Sequence, residues 1–317
     1  MIKNKVCFCR EVEDELSARK NRSARIRKRN IEHLKNEHPE IYALYEGITD
    51  TALVYADRMI ASPEDAPALR KLADEVIASK NAEFVKALAN AGLSPELLEP
   101  VYECPVCRDT GVIDGEMCSC VRRTVISKNF SGSGVDPEMT FENFRHDLIS
   151  DPREKKAMEN IYSFCLNYAE SFPGNDMPDM LILGAPGVGK TFLVNCIGER
   201  VLKNGYSVLK LSANRLVNHV LDSIRDRDIP RPDFVLPDLL VIDDLGAEPL
   251  LENITVETLL SILCDRQDEN KATIIASNLD PQALNEYYGE RIVSRLLDVN
   301  RSKVIRISTP SFRRIRF

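Results

Sequence analysis

Met180-Leu181-Ile182-Leu183-Gly184-Ala185-Pro186-Gly187-Val188-Gly189-Lys190-Thr191 runs from an apolar tetrad straight into a complete phosphate-binding loop. The tetrad reads as a buried strand and Phe192 to Leu202 as a helix, so the loop sits where a strand feeds a helix. In that setting Gly184, Ala185, Pro186, Gly187, Val188 and Gly189 turn backbone N–H groups toward a β-phosphate, and the helix dipole adds a positive end. Lys190 reaches the β and γ oxygens, and the Thr191 hydroxyl is placed to bind Mg²⁺. A bare glycine turn would not need this full set of residues between a strand and a helix. The stretch predicts an α/β nucleotide-binding domain.

Outward from the loop, apolar runs at Met180 to Leu183, Ser207 to Leu211, Leu239 to Ile242, Thr273 to Ala276 and Val304 to Ile307 alternate with helical stretches. That alternation predicts three layers around a parallel sheet. The run at Leu239 ends in Asp243-Asp244. Asp243 is positioned to hold Mg²⁺, directly or through water, and Asp244 to polarise an attacking water as general base. The run at Thr273 ends in Asn278, whose neutral amide can orient a lytic water beside the γ-phosphate or can simply close a strand-end turn. Gly289 to Leu296 sets Arg291 and Arg295 four residues apart on one helical face. Either they stabilise charge developing on a transferred phosphoryl group, or they belong to a solvated, salt-bridged face.

The chain has 317 residues, 44% of them apolar, which predicts two domains with cores of their own. Its formal net charge of -7 excludes a protein coated in basic surface, so nucleic-acid contact requires local patches. One such patch is the acid-free segment holding Arg19, Lys20, Arg22, Arg25, Arg27, Lys28 and Arg29; it reads equally as a solvated helical face or a surface for a partner or nucleic acid. Lys3 and Lys5 interrupt any signal-peptide core and no stretch approaches a membrane span, so a cytoplasmic location without membrane contact is expected.

Residues 1–100 read as helical. Ile41, Leu44, Tyr45 and Ile48 share one face, and Leu69, Leu72, Ala73, Val76, Ile77, Phe84 and Leu88 continue the period later. Pro39 begins one helix and Gly92 ends another. The region is either a scaffold or a partner-docking module. Nine cysteines do not imply disulfides in a cytosolic chain. Cys165, Cys196 and Cys264 lie singly in helical patterns and read as buried structural thiols, whereas Cys7 and Cys9 read as plain thiols with a ligand role as the alternative. Cys104-Pro105-Val106-Cys107 and Cys118-Ser119-Cys120 differ: two close pairs, with Gly111 and Gly115 between them to turn the chain back, suit one tetrahedral Zn²⁺. Metal would supply folding energy that so short a loop lacks, and four thiolates leave no position for a catalytic water. Unligated thiols or a redox pair are the alternatives. The expected organisation is a helical region at 1–100, this module at 101–130, a linker at 131–136 around the flexible Ser131-Gly132-Ser133-Gly134, and an ATPase domain at 137–317.

The phosphate loop, Asp243-Asp244, Ile275-Ala276-Ser277-Asn278 and Glu290-Arg291 through Arg295, in that order, resemble the AAA+ ATPases of the initiator and helicase-loader clade. The nearest groups are the DnaC and DnaI replicative helicase loaders and the IstB transposition ATPases. The resemblance runs from about Asp136 to Phe317. Thr140-Phe141-Glu142-Asn143-Phe144 is similar to the segment that leads into this core near the adenine. The resemblance implies ATP and Mg²⁺ as ligands, ATP hydrolysis, Arg295 as an arginine finger with Arg291 beside it, and Arg313 as the terminal sensor arginine. The part before residue 130 resembles DnaI-type loaders more loosely, and in that family this half engages a hexameric DnaB-type helicase.

The function so implied is ATP-dependent loading of such a helicase onto single-stranded DNA by nucleotide- or partner-dependent homo-oligomers. DNA contacts would come from Arg215, His219, Arg225 and Arg227 on the helix Asn214 to Arg227. An IstB-like transposition helper and a nucleotide-gated adaptor with negligible hydrolysis are the competing functions. No helix-turn-helix domain follows Arg313 and few residues follow Ile307-Ser308, so no helical lid is expected, and a neighbouring subunit would close the nucleotide.

Overall fold

A computed structural model describes residues 10–145, 149, 151–226, 229, 232–251 and 254–308. Cys7, Cys9, Arg227 and Arg313 lie outside the described residues. The chain divides into two compact units, Met1–Asp114 and Gly115–Phe317. Among the described residues no helix is long and apolar enough to cross a membrane.

The first unit is helical: α1 (Arg10–Glu37), α2 (Pro39–Ala61), α3 (Ala66–Asn90) and a 3₁₀ turn at Pro95–Leu98. Pro39 opens α2, where its missing N–H costs nothing. Gly92 takes φ +72° just after α3, and the Ser94 side chain then caps the 3₁₀ turn by accepting from the Glu96 N–H at 3.3 Å. Leu34, Ile41, Phe84, Leu88 and Leu98 form the core, with Leu44, Tyr45 and Ile48 packed against it. Leu72 departs from its expected place and is 47% exposed. The reason is that α3 packs mainly on α2, which covers only one side of its apolar stripe.

Part of the basic segment is spent inside this unit. Arg19 pairs with Glu15 at 3.1 Å, Arg22 pairs with Glu103 at 2.6 Å, and Arg27 donates to the Leu98 carbonyl at 3.0 Å. Lys20, Arg25 and Arg29 are exposed.

A short hairpin, β1 (Val112–Ile113) and β2 (Glu116–Met117), turns through Asp114 at φ +50° and Gly115 at φ +90°. Two successive positive φ values make the primed turn that fits a two-residue hairpin, and Asp-Gly is its favoured sequence. The helix α4 (Ser119–Phe130) follows.

The second unit continues with α5 (Pro152–Ser171), β3 (Asp179–Gly184), α6 (Lys190–Lys203), β4 (Val208–Ser212), α7 (Ala213–Arg225), β5 (Leu239–Leu245), α8 (Thr255–Asp268), β6 (Ala272–Ser277), α9 (Pro281–Tyr288), α10 (Glu290–Leu296) and β7 (Ser302–Ile307). The five long strands form one sheet in the order β4-β5-β6-β3-β7, and every neighbouring pair is parallel. Alternate strand residues feed two cores. Leu181, Leu183, Leu240, Ile242 and Ile275 face one layer of helices, while Met180, Ile182, Leu239, Val241, Ile274 and Ala276 face the other. A parallel sheet covered on both faces needs near-continuous apolar strands, which is why the inner strands β3, β5 and β6 appeared as apolar runs, whereas the edge strand β7 mixes buried and exposed residues.

The Ser131–Gly134 stretch is more ordered than its composition predicts. The Lys210 N–H donates to the Ser133 carbonyl at 2.7 Å along the outer edge of β4, and a Cβ at Gly134 would lie 1.9 Å from the Lys210 carbonyl oxygen. Glycine is required there by close backbone approach. Ahead of it, Ile126 and Phe130 of α4 are buried in the core of this second unit.

Candidate functional site

The phosphate loop occupies the carboxyl end of β3, which lies between β6 and β7, and the carboxyl ends of parallel strands are where α/β sheets open a crevice for ligands. Gly184 lies beside β7 so closely that a Cβ would fall 2.7 Å from the Ile307 carbonyl oxygen. Gly187 at φ +85° and Gly189 at φ +94° supply left-handed turns that residues with a Cβ rarely adopt. Val188, 1% exposed, anchors the loop in the core. Lys190 begins α6; its ammonium, almost wholly buried, donates to the carbonyls of Gly184 at 2.8 Å and Ala185 at 3.0 Å, and to Asn278 Oδ1 at 2.5 Å.

The two acids stand on a strand irregularity. Ile242 pairs with Ile275 but Leu245 pairs with Ser277, so β5 carries one extra residue there, the signature of a bulge. Asp243 faces inward, 5% exposed, and Asp244 turns outward with φ +55°. The Thr191 hydroxyl donates to Asp243 Oδ1 at 3.3 Å and the Asp244 N–H donates to the same oxygen at 3.0 Å. Burial, and then the neighbouring Asp244 charge, push the Asp243 carboxyl above its ordinary range, while Lys210 and the two hydrogen bonds oppose that. Thr191 and Asp243, expected to share Mg²⁺, are therefore adjacent, and this pairing of a hydroxyl and a carboxylate suits a hard divalent cation.

A cavity of about 590 Å³ opens over these groups, within the range of small-molecule sites. Gly187, Lys190, Thr191, Asp244 and Asn278 line it together with the apolar Phe144 and Phe192. Of the segment at 140–144, Asn143 and Phe144 are among the lining residues. Tyr162 donates to the Phe141 carbonyl at 3.0 Å, and the Phe144 ring meets those of Tyr162 and Phe192.

The two arginines go elsewhere. Arg291 is exposed, and neither it nor Arg295 lines this cavity. Arg295 borders a small space with Asp179, Thr273 and Ser302, at the starts of β3, β6 and β7, the sheet end opposite the phosphate loop. It also donates to the Arg291 carbonyl at 3.3 Å. On α7, Arg215 and Arg225 are exposed, but His219 packs its ring edge-on against Phe130 at 5.1 Å. Burial, and then Arg215, hold that imidazole below its ordinary range, which disfavours the charged form that a phosphate contact would use.

Cys104, Cys107, Cys118 and Cys120 are all buried, with their sulfurs within 4.8 Å of one another. Thiolates around one tetrahedral Zn²⁺ at about 2.3 Å would stand about 3.8 Å apart, so the set fits that ion after a small contraction. Asp109 braces the first pair: its carboxylate accepts the N–H groups of Glu103 at 3.0 Å and Cys104 at 2.9 Å, while the Gly111 N–H points at the Cys107 sulfur, 3.4 Å away. Such N–H contacts stabilise thiolate ligands.

With this geometry in view, residues 133–316 match the family model of the IstB-like ATP binding protein. The chain belongs to that ATP-binding family. It is of the AAA+ initiator and loader type, and its parallel sheet with flanking helices is that fold. The replicative helicase loader DnaI of Bacillus subtilis is 24% identical over 234 residues, covering 69% of this chain and 71% of that protein. The replicative helicase loader DnaC of Buchnera aphidicola is 30% identical over 135 residues, covering 41% of this chain and 54% of that protein, so the chain spans about half of that relative. Among solved structures, AMPPCP-bound DnaA from Aquifex aeolicus is similar at 26% identity, covering 55% of this chain and 51% of that one, with a TM-score of 0.46.

Several residues that build the family's site here carry no motif. Asn195, fully buried on α6, exchanges hydrogen bonds with Asp136 at 3.0 and 2.8 Å and donates to Met139 at 3.0 Å, pinning the segment that runs into the cavity. Its signal was a lone amide inside Phe192-Leu193-Val194-Asn195-Cys196-Ile197, because a polar group on a buried face must find partners. Arg200, one turn further along, pairs with Glu142 and with Glu170 at 2.9 Å. Glu248 and Tyr288 are each 3% exposed and hydrogen-bonded to one another behind Asp244.

Proposed function

We propose that this chain is an ATP-hydrolysing loader of a DnaB-type replicative helicase, acting on single-stranded DNA and assembling into homo-oligomers when nucleotide or partner is present. The observation that carries this reading is the extent of the DnaI similarity: it covers 69% of the chain, more than residues 133–317 can supply, so it reaches into the portion that precedes the ATPase core. In this reading residues 1–100 engage the helicase, 101–130 form a structural zinc module, 131–136 connect, and 137–317 turn over ATP.

The chemistry follows from the groups gathered at the cavity. The loop N–H groups and Lys190 hold the β and γ phosphates, and Lys190 exchanges its present carbonyl partners for phosphate oxygens. Mg²⁺, held by Thr191 and Asp243, would neutralise charge on the β and γ oxygens. Asp244 takes a proton from the attacking water, Asn278 orients that water, and the bond from the γ-phosphorus to the bridging oxygen breaks as ADP leaves. Arg295 lies far from the chain's own cavity, which favours action on a neighbouring subunit's nucleotide, as does Arg291 beside it. Arg313 is assigned the terminal sensor role. DNA phosphate contacts are assigned to Arg215 and Arg225 on α7.

Turnover measured with and without single-stranded DNA tests the enzymatic half: loss in Lys190→Ala and Asp244→Asn is expected, and a wild-type chain inert under every condition would instead favour a nucleotide-gated adaptor. The family match itself favours a second reading, an IstB-like transposition helper. That reading gains if the chain associates with a transposase and not with a replicative helicase.

A further inference from the structure

Glu248 stands five residues past Asp243 in Asp243-Asp244-Leu245-Gly246-Ala247-Glu248 and should, on charge alone, face water. It is instead 3% exposed, and both carboxylate oxygens are used. Oε2 accepts the Gly246 N–H at 2.9 Å, and Oε1 accepts the hydroxyl of Tyr288, itself 3% exposed. Burial first, then Glu248, hold the Tyr288 phenol above its ordinary range, so it stays a donor. Gly246 adopts φ +97°, and a Cβ there would fall 2.5 Å from Leu279, the residue directly after Asn278. Ser277 closes the other side, donating to the Leu245 carbonyl at 2.7 Å while accepting the Leu279 N–H at 3.1 Å.

These contacts therefore tie the turn after Asp244 to the turn at 277–279 that holds Asn278. Through Tyr288 they also reach the last residue of α9, after which Gly289 opens the helix that carries Arg291 and Arg295.

We propose that Glu248 and Tyr288 are positioning residues that hold Asp244 and Asn278 at the spacing the reaction needs and link that spacing to the arginine-bearing helix α10. Neither residue lines the cavity, so neither touches nucleotide. Their effect falls on the geometry of Asp244, whose left-handed backbone starts a turn that the Ala247 N–H closes on the Asp244 carbonyl at 3.1 Å and that Glu248 braces through the Gly246 N–H. The proposal rests on the hydrolytic reading of Asp244 and Asn278.

The test compares Tyr288→Phe, Glu248→Gln and Glu248→Ala with wild type and with Tyr287→Phe, an exposed neighbour, in the full chain. It measures kcat, melting temperature, and affinity for Mg²⁺ with a non-hydrolysable ATP analogue and with ADP. Loss of one buried hydrogen bond that acts only on the reacting geometry lowers kcat about tenfold while analogue affinity stays within about twofold. Glu248→Gln, which keeps an acceptor for Gly246, retains more activity than Glu248→Ala, and Tyr287→Phe matches wild type. Unchanged kcat in Tyr288→Phe overturns the proposal. So does a joint fall of kcat, affinity and melting temperature, which marks a merely structural pair. If Tyr288→Phe does not fold, equal kcat in the two Glu248 variants overturns it. If the wild type hydrolyses nothing, the hydrolytic reading fails by itself, and retention in Tyr288→Phe of the wild-type preference for analogue over ADP then overturns the positioning role; a wild type with neither turnover nor preference overturns both.

Discussion

Arg266 buries a guanidinium completely and surrounds it with acceptors: the Phe234 carbonyl at 2.9 Å, the Pro237 carbonyl at 3.0 Å, the Ala272 carbonyl and the Thr273 hydroxyl at 3.0 Å. Burial draws its pKa down to about 10, still far enough above neutrality to keep the charge. Removing it strands several buried carbonyls at once, so Arg266→Leu is expected to cost about 3–5 kcal/mol, read as a lower urea midpoint. Cys165 and Cys196 carry the opposite chemistry, with thiols pushed up to about 12 by burial. Their folded pKa values exceed the ordinary 9, so the stabilisation they give is complete below pH 9 and is lost as pH rises from 9 toward 12. A thermal-denaturation series should show that decline, and alanine at both positions should flatten it. These roles were illegible beforehand for a physical reason. In Cys264-Asp265-Arg266-Gln267 an arginine near a helix end looks solvated, and only the return of the chain through Phe234 to Pro237 and Ala272 encloses it. The phosphate loop could be read because all its chemistry is local, within eight consecutive residues.

At the scale of elements, every long strand was visible as an apolar run, and each observed strand begins within two residues of its predicted start. Two-sided burial forces that pattern, so the parallel sheet needed no long-range information. The Glu248–Tyr288 bond was not visible, since it joins residues 40 apart that become neighbours only in the folded chain. Gly184 shows how closely the elements constrain the site. A methyl in Gly184→Ala would press on the Ile307 carbonyl of β7, with an expected loss of about 1–3 kcal/mol in thermal or urea unfolding and weaker nucleotide binding. The cysteine hairpin makes its own prediction. Purified protein should hold about one zinc per chain, and Cys107→Ser or a strong chelator should remove it; folded protein prepared without metal that keeps the same far-UV and proteolysis profile would refute a structural ion.

For the whole molecule, the sequence marks a helical region, a cysteine module and an ATPase domain, whereas the compact units of the chain are two, Met1–Asp114 and Gly115–Phe317. The division lies at Asp114–Gly115, in the turn of the cysteine hairpin, with α4 buried against the ATPase core. Composition could not reveal this, because Ser131-Gly132-Ser133-Gly134 reads as a flexible tether, while in the fold the Ser133 carbonyl accepts the Lys210 N–H at the edge of β4. The overall charge of -7 means that DNA binding must be local, so Arg215→Ala with Arg225→Ala should weaken single-stranded DNA binding and reduce its salt dependence. Unchanged affinity would move the DNA surface elsewhere. Size-exclusion co-elution of the full chain with the DnaB-type helicase of its own organism would show what the AAA+ core serves. A helicase loader forms a stable complex there, whose formation or release differs between a non-hydrolysable ATP analogue and ADP. No complex with either nucleotide, or without nucleotide, would contradict that role.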